Sequence, residues 1–264
     1  MSAEDCGSDS ENIAAPVEER VPGLEPKDIW SAELATFLRG FISELPPALV
    51  VEVRAFDIPQ RYGAPRTVSG FFDLASLAHV IKMRDAVWGI MSGGAQPEGI
   101  YVTLNPVVPA CLARANAVIK VPKKSISAGD KDVVCRRWML VDVDPRRPVS
   151  GVSATDAEKA AAKDLADGVR DDLRVRGWAA PMVVDSGNGY HLYYRVDLPA
   201  ADDRRVERCL KALAARHNTP AAAVDVTVFN PSRIVKIPGT WARKGDETPD
   251  RPHRKARVLE VPEL

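Results

Sequence analysis

Apolar residues recur at spacings of three and four from Trp30 to Leu45, through Leu34, Phe37, Leu38, Phe41 and Ile42, the period of one helical face. The pattern then changes. ALVVEVRAF (48–56) and TVSGFFD (67–73) carry the β-branched and aromatic residues of strands, and Asp73 is placed to cap a helix running through Val87. GIYVTLNP (99–106) predicts a further strand that stops at Pro106. After a polar stretch with Gly and Pro between Lys120 and Lys131, RRWMLVDVD (136–144) returns to strand composition. Thr155 and Glu158 form an S/T-x-x-E capping box, and the alanine-rich run through Arg176 predicts a long helix. PMVVDS (181–186) and YHLYYRVD (190–197) flank Gly187, Asn188 and Gly189, a hairpin signal. A helix over 201–216 and two short strands, VDVTVF (224–229) and SRIVKIP (232–238), complete the series.

These elements predict an α+β protein in four parts. Residues 1–27 mix Ser, Glu, Asp, Pro and Gly without hydrophobic periodicity, the composition of a disordered acidic tail. Residues 28–120 form an N-terminal α/β subdomain, 121–134 a basic loop or hinge, and 135–264 a second subdomain. The order in the second is β-α-β-β-α-β, the split-βαβ arrangement that includes the RNA-recognition fold.

With 264 residues, 45% of them hydrophobic, the chain can bury one substantial core or two modest ones. Its apolar stretches are too short to cross a bilayer, and the N-terminus has neither the basic start nor the apolar run of a signal peptide, so a cytoplasmic location is expected. Cys6, Cys111, Cys135 and Cys209 are scattered, which indicates neither a disulfide framework nor a cysteine zinc site. The formal net charge is zero, but residues 1–27 hold seven acidic and two basic side chains, leaving 34 basic against 29 acidic in the remainder. Basic side chains outnumber acidic ones from Arg233 to Arg257, a segment suited either to a phosphate backbone or to plain solvation.

Three clusters carry candidate chemistry. Asp142 and Asp144 stand at i and i+2 on an otherwise apolar strand, so both side chains share one face. Two such carboxylates repel each other and resist desolvation, and a divalent cation such as Mg²⁺ is an economical compensation. The competing reading ends the strand there, with Asp144 opening a turn at Pro145 and paired with Arg146 or Arg147. The second cluster is Asp185-Ser-Gly-Asn-Gly-Tyr-His191. Its glycines allow close approach of a ligand, or serve an ordinary hairpin, and His191 starts a strand beside the carboxylates in the split-βαβ topology. The third is Asp225, within an apolar run and followed by Arg233 and Lys236, cations of the kind that neutralise phosphates.

A D-x-D strand, a Ser-Gly-x-Gly-x-His hairpin, and a later aspartate followed by R-x-x-K resemble, in that order, the archaeo-eukaryotic primase superfamily, above all its bacterial, plasmid and phage primase-polymerases. The resemblance runs from about Ala48 to Arg257, with specific motifs from Trp138 onward. It implies an N-terminal α/β subdomain packed on a catalytic RNA-recognition-like one, and template-directed nucleotidyl transfer with Mg²⁺ or Mn²⁺. Asp142, Asp144 and Asp225 would hold the metals. Ser186, Gly187, Gly189, His191, Arg233 and Lys236 would contact the incoming nucleoside triphosphate, with Asn105 facing the same cleft and Arg243 and Lys244 as weaker candidates. The implied partners are a single-stranded DNA template and dNTPs or NTPs, acting on a monomer. No Cys/His cluster for a zinc module and no G-x-x-x-x-G-K-[ST] helicase motif occurs in this sequence, which is then either a small stand-alone enzyme working beside a separate helicase or a piece of a longer fusion.

Two other functions fit the same topology. A rolling-circle or relaxase-type nuclease needs a His-hydrophobe-His pair and a tyrosine nucleophile, whereas here His191 is followed by Leu192 and Tyr193. A non-catalytic RNA-recognition module would stack bases on Tyr190, Tyr193 and Tyr194.

Overall fold

A computed structural model describes residues 26–42, 49–60, 62–121 and 127–262. All but the last two residues of the expected acidic tail, and residues 122–126 of the expected basic loop, lie outside the described residues. The fold is mixed α+β, built on two antiparallel sheets.

The first helix, α1 (Lys27–Ile42), buries Trp30, Leu34, Phe37, Leu38 and Phe41, the stripe that its sequence period marks out. Strands β1 (Val50–Ile58) and β2 (Arg66–Asp73) pair along most of their length, and helix α2 (Leu77–Ser92) buries Met83, Val87 and Met91. Asp73 does not cap that helix. It lies three residues before Ser76 at the N-cap, and its Oδ1 accepts from the backbone N–H groups of Leu49 and Ala75, closing the turn after β2. Strand β3 (Ile100–Thr103) pairs with the free edge of β1.

The long strand β4 (Cys135–Pro145) leads to α3 (Asp156–Val175), whose N-terminus carries the Thr155–Glu158 capping box. Then come β5 (Met182–Asp185), β6 (Tyr190–Pro199), α4 (Arg205–His217) and β7 (Ala222–Val224). Four short strands finish the chain: β8 (Ile234–Lys236), β9 (Trp241–Ala242), β10 (Arg254–Lys255) and β11 (Arg257–Glu260). The five-stranded sheet has the order β11-β5-β6-β4-β7. The four-stranded sheet has the order β2-β1-β3-β8, so β8 leaves the second half of the chain to join strands of the first.

The two faces of the five-stranded sheet are covered differently. Helices α3 and α4 contact β4, β6 and β7, and Trp178, just after α3, meets Tyr194 edge-on with ring centroids 5.5 Å apart. On the opposite face, α1 lays Phe41 over Trp138 at 5.9 Å, and Gly40 sits where a Cβ would come within 3.1 Å of the Met182 sulfur. One continuous apolar core links both sheets and α1.

A second tie is polar. Glu52 on β1 is fully buried and accepts from Arg54 (2.8 and 2.7 Å), from the Ser69 hydroxyl and from Ala128 N–H (2.7 Å), while Arg54 also donates to Ala128 O (2.9 Å). Both backbone groups of Ala128 are thereby pinned to β1. A buried carboxylate is tolerated because every oxygen is satisfied.

Candidate active site

Strand alternation places Asp142 and Asp144 on the same face of β4, the face shared with Trp138 and Leu140. Across the ladder, Asp142 is the register partner of His191 on β6, so the imidazole stands beside the carboxyl with Nε2 3.5 Å from Oδ1. On the other side of β4, backbone N–H of Asp225 donates to Asp142 O (2.8 Å), which brings the third carboxylate to the same end of the sheet. Asp225 is not itself on a strand. β7 ends at Val224, and the Asp225 carboxylate accepts from Thr227 N–H and Oγ1–H, both at 2.7 Å, an Asx turn that aims it.

These residues line one cavity of about 340 Å³, with Ser186, His191, Arg233, Lys236 and Lys244 on its polar side and Phe56, Tyr101, Leu140 and Val228 on its apolar side. The four-stranded sheet contributes Phe56, Tyr101 and Lys236. The cleft is therefore a joint product of both sheets.

The electrostatics follow from burial. Desolvation, then Asp144 and Asp225, hold the Asp142 carboxyl well above the usual carboxylate range, while Lys244 and Arg233 act in the opposite direction. Burial, then Lys236 and Lys244, push His191 down to about 3. The imidazole is neutral at ordinary pH, and its contact with Asp142 is a polar one, not an ion pair. Tyr193, two residues on and on the same face, places its hydroxyl 2.7 Å from His191 Nδ1. A hydroxyl donating there leaves the ring proton on Nε2, directed at Asp142.

The cations differ in how far they are engaged. Arg233 donates through Nη2 to Thr227 O (2.8 Å), and its buried Nε has no hydrogen-bond partner among the described residues. Lys236 is buried, donates to Trp241 O (3.3 Å) and Glu98 O (3.5 Å), and stands 4.4 Å above the Tyr101 ring. Burial, with Lys244 next, pushes its ammonium down to about 7. Arg147 approaches Asp144 at 3.7 Å, so one element of the turn reading is present although β4 runs on to Pro145.

The hairpin residues are held by the protein itself. Ser186 Oγ accepts from Gly189 N–H (3.1 Å), which leaves its own hydroxyl proton for another acceptor. Gly187 has φ +96°, and a Cβ there would meet that of Ala242 at 2.7 Å. A Cβ on Gly189 would come within 2.3 Å of Val143 O. Neither glycine lines the cavity; their missing side chains make room for protein, not ligand. Asn188, between them, does line it and accepts from Ala154 N–H (2.8 Å).

Asn105 lies outside the cavity. Its Oδ1 accepts from Arg137 and Trp138 N–H (2.8 and 3.0 Å) and its Nδ2 donates to Pro231 O (3.2 Å), so it splices the end of β3 to the start of β4. Phe56, Tyr101 and Asn188 gave no chemical signal in the sequence. Phe56 is followed by Asp57 at φ +58°, inside an irregularity of the β1–β2 ladder, and such bulges re-aim side chains.

Oxygen donors from three aspartates suit a hard divalent cation. Among the described residues no three His, Cys, Asp or Glu side chains close into a metal cage. Among the described residues no helix is long and apolar enough to cross a membrane.

No protein-family model matches the chain, and no curated protein matches it. Among solved structures the chain is similar to one described as the crystal structure of primase RepB′, at 11% identity and a TM-score of 0.48, over 88% of this chain and 56% of that one. The chain thus spans little more than half the length of that structure.

Proposed function

We propose that this chain is a primase-polymerase that adds nucleotides to a 3′ hydroxyl, or to an initiating nucleotide, as directed by a single-stranded DNA template. The observation that carries the reading is the convergence of Asp142, Asp144 and Asp225 in a cavity that Arg233, Lys236 and Lys244 also line. Burial, and after it the repulsion of Asp144 and Asp225, holds the Asp142 carboxyl up, a cost that a substrate-borne cation would offset.

In this reading Asp142, Asp144 and Asp225 would hold Mg²⁺ or Mn²⁺ between them, each ion on one or two carboxylates, and the metal when bound would supply the charge stabilisation of attacking and leaving oxygens that nucleotidyl transfer needs. Arg233 and Lys244 neutralise the triphosphate. Ser186 Oγ–H and His191 Nε2–H donate to its oxygens, the second held in place by Tyr193. Lys236 stands behind them, holding the Trp241 and Glu98 carbonyls and adding positive potential. No protein nucleophile takes part. The arrangement is that of an archaeo-eukaryotic primase core, an N-terminal α/β subdomain on an RNA-recognition-like one. It acts as a monomer in the cytoplasm, on template opened by a helicase.

The rival readings find less support. Tyr190, Tyr193 and Tyr194 are all buried, which removes the stacking platform that a single-strand-binding module needs. Tyr193 is buried with its hydroxyl on His191 and offers no exposed nucleophile to a nuclease.

The test is an extension assay: protein, single-stranded template, labelled nucleotides and Mg²⁺ or Mn²⁺, with and without primer, beside Asp142→Ala/Asp144→Ala. Extended product from wild type, reduced by roughly 10²–10³-fold in the variant, is expected. A nicked strand in place of extended product would establish the nuclease, and binding without synthesis the module.

A further inference from the structure

Between Gly239 and Arg257 the chain folds into the two-stranded ribbon β9–β10, with Ala242 opposite Arg254 and Trp241 opposite Lys255. Its two faces differ. Ala242 is buried against Gly187, and it lines the cavity together with Lys244. Arg254, on the same face as Ala242, donates to Ala154 O (2.7 Å) and pairs with Asp156 (2.6 Å). That face is fastened to the hairpin and to the start of α3.

Alternation sends Trp241 and Arg243 to the other face, where Lys255 joins them as the register partner of Trp241. The Arg243 guanidinium lies 5.1 Å from the Trp241 ring centroid and the Lys255 ammonium 5.3 Å from it. All three residues are partly exposed. Two cations thus share one aromatic ring. Arg243 donates to a carbonyl, Pro97 O (3.3 Å), and makes no hydrogen bond to a carboxylate among the described residues. Glu247, in the loop joining the two strands, instead accepts from His253 N–H (3.1 Å).

From this two-sided construction we infer that the outer face of the β9–β10 ribbon binds single-stranded nucleic acid, with backbone phosphates on Arg243 and Lys255 and a base against Trp241. Resting on the nucleotidyl-transfer reading for its identity, the strand is the template, and the ribbon is the wall it passes at the cavity. A positively charged surface with an aromatic ring is the combination that holds single strands without reading their sequence. It also gives the basic segment after Arg233 a task that a solvated surface would not require.

The test uses the full chain and a fluorescently labelled, mixed-sequence single-stranded oligonucleotide, with anisotropy followed against salt concentration. Trp241→Leu is expected to bind roughly tenfold more weakly. Arg243→Gln/Lys255→Gln is expected to make the slope of log affinity against log salt shallower by about 1.4, two phosphate contacts on a single strand. Thermal unfolding checks that the variants are folded, and Trp241→Phe, which keeps an aromatic ring, should retain most of the affinity. Unchanged affinity and slope in the double variant, or equal affinity of wild type for duplex, would overturn the inference. Binding that depends on the ribbon in a protein that makes no product would sink the nucleotidyl-transfer reading and leave this one standing.

Discussion

Asp142 and His191 face each other across the β4–β6 ladder at 3.5 Å, and burial drives the two in opposite directions, the carboxyl up and the imidazole down to about 3. Each therefore leans toward its uncharged form. What separates this pair from an ordinary buried ion pair is the presence of two further carboxylates on the same side.

Asp142→Asn should stabilise the protein in the absence of divalent cations. The folded-state value of Asp142 lies above its unfolded one, so the stability the group contributes is present below the unfolded value, about 3.9, and is lost as pH rises through the folded value. Asparagine keeps the uncharged form at every pH. The expected outcome is a midpoint roughly 2–4 °C above wild type at pH 7, the shift that about 1 kcal/mol gives in a chain of this size, with no difference below about pH 4. Thermal unfolding at a series of pH values, in chelator, measures it.

Lys236→Met tests the buried ammonium. Its folded value is about 7 against about 10.4 in an unfolded chain, so the group's stabilising contribution is complete above the unfolded value and is lost as pH falls to the folded one. Wild type should therefore gain stability between pH 7 and about 10, with up to one proton's slope, about 1.4 kcal/mol per pH unit, that the methionine variant lacks. Urea unfolding across that range reports the difference. Parallel pH profiles would mean that Lys236 is better hydrated than its 5% exposure implies.

Gly189→Ala should destabilise through packing. A methyl group would enter within 2.3 Å of Val143 O and 3.0 Å of Asp144 Oδ1, both on a strand held by neighbours on its two sides. A loss of about 1–3 kcal/mol is expected from denaturant unfolding. A variant as stable as wild type would show that the hairpin can move off β4.

How far the site could be read from sequence depends on the range of the forces that build it. The shared face of Asp142 and Asp144 was legible because strand alternation is local and survives any tertiary context. The capping box at Thr155 was legible for the same reason. Asp225 was assigned to a strand because its neighbours Val224, Val226 and Val228 are apolar, but its own carboxylate bonds Thr227 and turns the chain first. The resemblance puts Asn105 in the cleft, whereas the N–H groups of Arg137 and Trp138 claim its side chain. Gly187 and Gly189 permit either a ligand's approach or an ordinary hairpin, and the resemblance makes them nucleotide contacts, whereas protein atoms of Ala242 and Val143 fill the space beside them. Phe56 and Tyr101 were silent, since their place in the cavity depends on a bulge and on the meeting of two sheets.

Tyr101 on β3 pairs with Lys236 on β8, partners about 135 residues apart in the chain. Such a pairing carries a large loop-closure entropy and is among the slowest kinds of contact to form. On a ribosome adding about 5–20 residues per second, β3 must wait on the order of ten seconds before its partner has even been synthesised. Both walls of the cavity hang on that pairing. During its own birth, then, the protein passes through an interval of several seconds in which Asp142 and Asp144 exist but the pocket they would serve does not.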